Sequence, residues 1–133
     1  MKYAYFKGQI VPFEQATVGI MTHALNYGTG CFEGIRGYWN ADQEQLYILK
    51  LKEHYQRLLV SCRALRIKVG LSIPELVAIT VELARKNGYR EDVYIRPLAY
   101  KSEEKIGLGL HGIEDDLAIY LAPFGNYLDV SEG

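Results

Sequence analysis

Rare side chains are scarce in this sequence: 133 residues contain two cysteines, three histidines and four prolines. Cys31 and Cys62 form no CxxC pair and are too few for a disulfide framework, so they read as free thiols of a reducing compartment. His23, His54 and His111 share no metal-ligand spacing, and no metal is assigned. Charge of one sign is also lacking. A net charge of -1 offers no general attraction to phosphate backbones or anionic lipid, so neither nucleic acid nor a membrane surface is an expected partner. No apolar run approaches the roughly 20 residues that cross a bilayer, and the opening MKYAYFKGQ lacks the uninterrupted apolar stretch of a signal peptide. The expected location is the cytoplasm.

What is present is globular: 49% hydrophobic and 23% charged residues, in a chain long enough to bury a core without disulfide or metal staples. Residues 1–133 read as one domain. Tyr3 to Val11 breaks at Lys7-Gly8 and predicts a hairpin. Phe32 to Trp39 and Gln45 to Leu49 predict a second hairpin, turning at Asn40-Ala41-Asp42. Leu51, Tyr55, Leu58, Leu59, Cys62 and Leu65 recur at helical steps and predict a helix over Leu51 to Arg66, with Arg57 at the edge of its apolar stripe. Ser72 with Glu75 has the form of a capping box that starts a second helix, and Gly88 stops it. Asp92 to Lys101 and Asp116 to Phe124 read as strands. The order implies an α+β domain with two helices packed on a largely antiparallel sheet.

Three stretches carry candidate chemistry. THALNYGTGCFEGIRGYWN, Thr22 to Asn40, holds four glycines and reads as a loop feeding a strand, because each interior glycine costs a helix about 1 kcal/mol. With its aromatics and Arg36 it suits a pocket wall. In YIRPLAY a strand puts Tyr94 and Arg96 on one face, where a guanidinium fork and a hydroxyl suit a small carboxylate. An exposed arginine beside a half-buried tyrosine accounts for the same residues. On spacing alone Arg57 reads first as a solvated helical arginine and only second as an anion ligand, and Tyr27, Phe32 and Tyr127 read by default as core aromatics. GLGLHG, Gly107 to Gly112, has the letters of a dinucleotide fingerprint but no helix after it to receive a phosphate, so it is set aside as a glycine-rich loop.

HALNYGTGCFEGIR, KEHYQRL, NGYREDVYIRPL, GLGL and APFGNYL, in this order and spacing, resemble the N-terminal small domain of the branched-chain amino acid aminotransferases, pyridoxal-phosphate enzymes of fold-type IV. The resemblance covers nearly the whole chain. It implies that Arg57 holds the phosphate of pyridoxal 5'-phosphate. The segment Phe32-Glu33-Gly34-Ile35-Arg36 would border the active site, with Phe32 helping to form the hydrophobic pocket for a branched side chain and Gly34 at the pocket. Tyr94 and Arg96 would take substrate carboxylates, Arg96 the distal one of glutamate. Tyr127 would be a further pocket tyrosine, and Tyr27 and Leu110 would reach the neighbouring subunit's site in a homodimer.

The implied reaction moves an amino group from leucine, isoleucine or valine to 2-oxoglutarate. The resemblance places the Schiff-base lysine, the acid that pairs with the pyridine nitrogen and a second phosphate segment in a C-terminal domain beyond Gly133. No catalytic residue is therefore assigned within this chain, whose eight lysines are expected to lie in water. The chain alone is expected to be inactive. Two alternatives remain open: a non-catalytic binding or dimerisation module of the same fold, and another fold-type IV enzyme. The D-amino acid aminotransferases and aminodeoxychorismate lyases share the helical arginine, but generally lack FEGIR combined with YIRP.

Overall fold

Lys7 and Gly8 both adopt positive φ, 49° and 80°, which is the backbone a two-residue hairpin turn requires. They join β1 (Tyr3–Phe6) to β2 (Gln9–Pro12) in the computed structural model, which describes residues 2–126. The chain then forms α1 (His23–Tyr27), β3 (Gly30–Phe32), β4 (Ile35–Asn40) and β5 (Gln45–Ile48). It continues through α2 (Leu51–Ala64), α3 (Ile73–Asn87), β6 (Val93–Lys101) and β7 (Asp115–Pro123). The strands form one sheet in the order β2-β1-β7-β6-β4-β5, with β3 also on β6, and every described pairing is antiparallel.

Alternation along β6 divides the sheet into two faces. Val93, Ile95 and Ala99 point to the side covered by α2 and α3, where they meet Ile35, Ile119 and Leu121 from neighbouring strands. Leu51, Tyr55, Leu58 and Cys62 of α2 and Leu76 and Leu83 of α3 complete that core. The Tyr55 hydroxyl pairs with Thr80 Oγ1 at 2.5 Å, so the phenol carries no unpaired polar group into the interior. The capping box of α3 is formed on both sides, with Ser72 N–H donating to Glu75 and Glu75 N–H to Ser72, and Gly88 ends the helix at φ 65°. Asn87, at the last turn, accepts from the N–H groups of Lys2 and Tyr3 and donates to the Tyr3 carbonyl, tying α3 to the edge of β1.

Two expectations need correction. The Thr22 segment contains a helix: His23-Ala24-Leu25-Asn26-Tyr27 is free of glycine and makes one short turn, which Gly28 stops at φ 67°. The glycines that argued against a helix all follow it. Phe32 to Trp39 is two strands rather than one, interrupted at Glu33 and Gly34 although β3 and β4 keep a common register on β6. Opposite the gap stands Pro97, whose carbonyl accepts from Glu33 N–H at 3.1 Å but whose nitrogen has no hydrogen to return.

Truncating Leu58, buried between α2 and the sheet, is expected to destabilise the chain by roughly 2–5 kcal/mol, against about 1 kcal/mol for Ser72→Ala. Urea unfolding of the two variants checks this ranking, and the reverse order would misplace the core.

Candidate functional site

The strand interruption gives its two residues different directions. Glu33 turns towards α2 and is 6% exposed. There its carboxylate accepts from Arg57 Nε at 2.9 and 3.0 Å, from Arg57 Nη2 at 2.7 Å and from His54 Nδ1–H at 2.7 Å. Burial pushes the Glu33 acid up, but the hydrogen bonds and charges of Arg57 and His54 outweigh it and hold the carboxyl below its ordinary value. The same pairing raises Arg57 and keeps it charged. The Arg57 side chain is nonetheless 70% exposed, and its Nη1 has no acceptor among the described residues. It is an oriented cation with one donor edge facing outward.

Gly34 faces the other way, under Tyr94. A Cβ built there would lie 2.5 Å from the Tyr94 hydroxyl and 3.1 Å from its ring, so the tyrosine occupies space that only glycine leaves. Tyr94 Oη accepts from Arg96 Nη2 at 2.8 Å. This bond raises Arg96 and outweighs the opposing effect of burial. The Arg96 guanidinium lies 4.1 Å above the Phe32 ring, a cation-aromatic contact that fixes its plane. Phe32 is 54% exposed and Arg96 pairs across strands with Tyr120. Both aromatic rings wall an apolar cavity of about 440 Å3, closed by Val18, Leu25, Leu98 and Tyr100. The chain from Phe13 to Gly30 thus folds over part of the helix-free face and makes a pocket of it.

The predicted residues therefore fall into two groups. Phe32, Gly34, Tyr94 and Arg96 are in mutual contact, and Glu33 joins them to Arg57 through three consecutive residues. Tyr27 belongs to a second group, with its hydroxyl on Gly107 N–H at 2.8 Å. Leu110, in the same glycine-rich loop, lines a separate basin with Arg66 and Lys68. Tyr127 lies outside the described residues. Phe32 is no core aromatic, since it is over half exposed.

His54 and Tyr120 were not among the residues predicted for the site, and Glu33 was expected only as part of the segment that borders it, without its pairing to Arg57. The i, i+3 spacing of His54 and Arg57 was a usable signal, because it places both on one helical face. The expectation that every lysine lies in water fails at Lys101, which is 1% exposed and held by the Arg66 carbonyl at 2.6 Å and Asp115 at 2.7 Å. Burial without those acceptors would be costly, and their presence makes it a structural lysine.

Helices on one sheet face, with Arg57 of α2 oriented by Glu33, and an apolar pocket beside Arg96 on the other define the N-terminal domain of the fold-type IV aminotransferases. The chain belongs to the amino-transferase class IV family, whose model matches residues 30–129. It is 53% identical over 133 residues to a probable branched-chain-amino-acid aminotransferase of Aquifex aeolicus, covering 100% of this chain and 43% of that one. Its fold superimposes with TM-score 0.88 and 43% identity on the branched-chain aminotransferase of Thermoproteus uzoniensis with norvaline, over 96% of this chain and 42% of that structure. The branched-chain amino acid aminotransferase of Thermobaculum terrenum in its PLP-bound holo form matches at TM-score 0.83 and 37% identity, over 92% and 40%. The chain thus spans about two fifths of the length of these relatives.

The Glu33 pairing predicts a pH signature. A depressed folded-state value means that Glu33 stabilises the fold above its ordinary value of 4.5 and that this contribution is lost as pH falls through the lower value. The stability gap between the native chain and Glu33→Gln, measured by denaturant unfolding, is expected to be widest near neutrality and to shrink in acid. A gap independent of pH would rule the ion pair out as its source.

Proposed function

We propose that this chain is the N-terminal domain, residues 1–133, of a pyridoxal-phosphate-dependent branched-chain amino acid aminotransferase that works as a homodimer and draws its Schiff-base lysine from a C-terminal domain. The observation that carries the reading is the contact of Arg96 with both Tyr94 and Phe32 at the edge of the apolar cavity. One pocket then serves two kinds of side chain: an aliphatic one packs on Phe32, and the distal carboxylate of glutamate or 2-oxoglutarate meets the guanidinium.

The cofactor fits the residues present. A phosphate dianion needs an exposed, permanently charged donor, and Arg57 offers Nη1 while Glu33 fixes the plane of its fork. Pyridoxal phosphate, when bound, supplies the electron sink for the reaction. The chain's own residues orient. Arg57 holds the phosphate, Tyr94 and Arg96 neutralise carboxylates, and Phe32 and Gly34 shape the wall. Tyr27 and Leu110 close the neighbouring subunit's pocket. Lys101, committed to Asp115, does not compete for the cofactor.

In the full-length protein, L-leucine with 2-oxoglutarate is expected to be turned over well and D-alanine poorly. A coupled assay giving the opposite preference would refute the branched-chain assignment. A charge-assisted hydrogen bond contributes ~1.5–3 kcal/mol, so Arg57→Ala is expected to weaken cofactor affinity roughly tenfold or more, read by cofactor retention on dialysis. Arg96→Ala is expected to lower kcat/KM for glutamate more than for leucine, because only glutamate presents a second carboxylate. Equal losses would exclude the dual role.

A further inference from the structure

The glycine-rich loop between β6 and β7 is held from outside its own strands, by α1. His23 is fully buried, at 0% exposure, and both ring nitrogens are engaged. Nε2 lies 2.6 Å from the Gly107 carbonyl, and because a carbonyl only accepts, Nε2 carries a proton. In the neutral ring Nδ1 then accepts from the Thr29 hydroxyl at 2.7 Å. One turn along the helix Tyr27 packs against the imidazole with the rings tilted by 47° and their centroids 4.7 Å apart, and its hydroxyl accepts from Gly107 N–H at 2.8 Å. The N–H and the C=O of one loop residue are thus gripped by two side chains spaced i, i+4. Gly107 has φ 133°, a conformation that favours glycine, so the grip is made where the backbone takes a shape other residues resist. His23 N–H donating to the Glu103 carbonyl at 2.9 Å and the Thr22–Glu104 bridge secure the loop's approach. On either side of the clasp Ile106 and Leu108 stand 75% and 79% exposed, an apolar pair unsuited to water.

We propose that His23 is a positioning residue: with Tyr27 it clasps Gly107 and sets the presentation of the loop, including Ile106, Leu108 and Leu110, that completes the substrate side-chain pocket of a second copy of the chain. The cross-subunit part rests on the aminotransferase reading; the clasp itself rests on the geometry alone. His23 touches no reacting atom. It acts through the loop, so its loss affects recognition of the aliphatic side chain more than cofactor binding.

Amide exchange in this chain tests the clasp, and steady-state kinetics in the full-length protein test its consequence. One hydrogen bond is worth about 1 kcal/mol, so Tyr27→Phe and His23→Leu are each expected to speed exchange of the Gly107 amide roughly fivefold, with β6 amides unmoved. His23→Gln, which keeps a donor for the Gly107 carbonyl, is expected to recover part of the protection. In the full-length enzyme the same variants raise KM for L-leucine by a similar factor, more than they lower kcat, and cofactor retention stays unchanged. Unaltered loop exchange in Tyr27→Phe and His23→Leu overturns the clasp, and a loosened loop with unmoved KM overturns its role in the pocket. Should His23→Leu loosen β6 as well, Tyr27→Phe decides. Absence of transamination by the native full-length protein would sink the aminotransferase reading and the cross-subunit role with it, while exchange still decides the clasp.

Discussion

Glu33 is the constraint on which the site depends. A carboxylate at 6% exposure survives only if its charge is matched and its lone pairs are used, and Arg57 and His54 do both. The match fixes more than a charge. With Glu33 drawn towards α2, Phe32 on one side and Gly34 on the other must face away from the helices, and those two residues are the wall under Arg96 and the floor under Tyr94. A single ion pair, buried at Glu33 and exposed at Arg57, therefore sets the directions of both arginines from opposite sides of one strand interruption. Removing Arg57 would leave the buried Glu33 carboxylate with His54 alone, which is costly, whereas removing Glu33 would leave an exposed arginine free to swing.

Pro97 makes the interruption possible. In an uninterrupted β3–β4 strand, Glu33 would be one ladder residue among several. With no N–H at position 97, the ladder has a missing rung, and the chain opposite it is released to serve the site while the flanking residues keep their register. The sheet's other face gives up nothing, because Ile35 and Ile95 on one side of the gap and Ala99 on the other still pack against α2 and α3. Core and pocket are separated by the thickness of one sheet, so the pocket face is free to carry Arg96, which the packed core would not tolerate.

Most of the fold was legible because its signals are local. The Lys7-Gly8 turn, the Ser72–Glu75 box, the Gly88 stop and the periodicity of α2 each reside within a few residues. The pairing of Tyr94 with Arg96 was legible for the same reason, since alternation in a strand is a two-residue rule. The Glu33–Arg57 pair was not: its partners are 24 residues apart, and nothing in FEGIR alone says which way the glutamate turns. The split between β3 and β4 is written in Pro97, on a different strand, and is invisible until the strands are aligned. The glycine density that hid α1 was a local signal read too broadly, since the helix occupies the five residues before Gly28. Lys101 likewise looks ordinary in sequence and is buried only because Asp115 and the Arg66 carbonyl converge on it.

The two site arginines differ in a way that fits the tasks proposed for them. Arg57 shares its charge with a carboxylate, so an incoming anion meets a nearly compensated pair and is held by the geometry of one outward N–H edge. Such a donor suits an anion that arrives with further ligands of its own, as a phosphate does. Arg96 has a phenol and aromatic faces for company and no carboxylate among its described contacts, so its charge is uncompensated in an apolar wall. Its Nε is also buried without an acceptor. A full charge against low-polarity surroundings attracts a lone carboxylate more strongly than a compensated one does, because the interaction grows as the local dielectric falls. When the guest is instead an aliphatic chain, Tyr94 and Phe32 keep the guanidinium solvated by aromatic faces, and the wall stays serviceable for both. On the proposed reading, the tolerance of one pocket for a charged and an uncharged side chain would follow from denying Arg96 the acidic partner that Arg57 has.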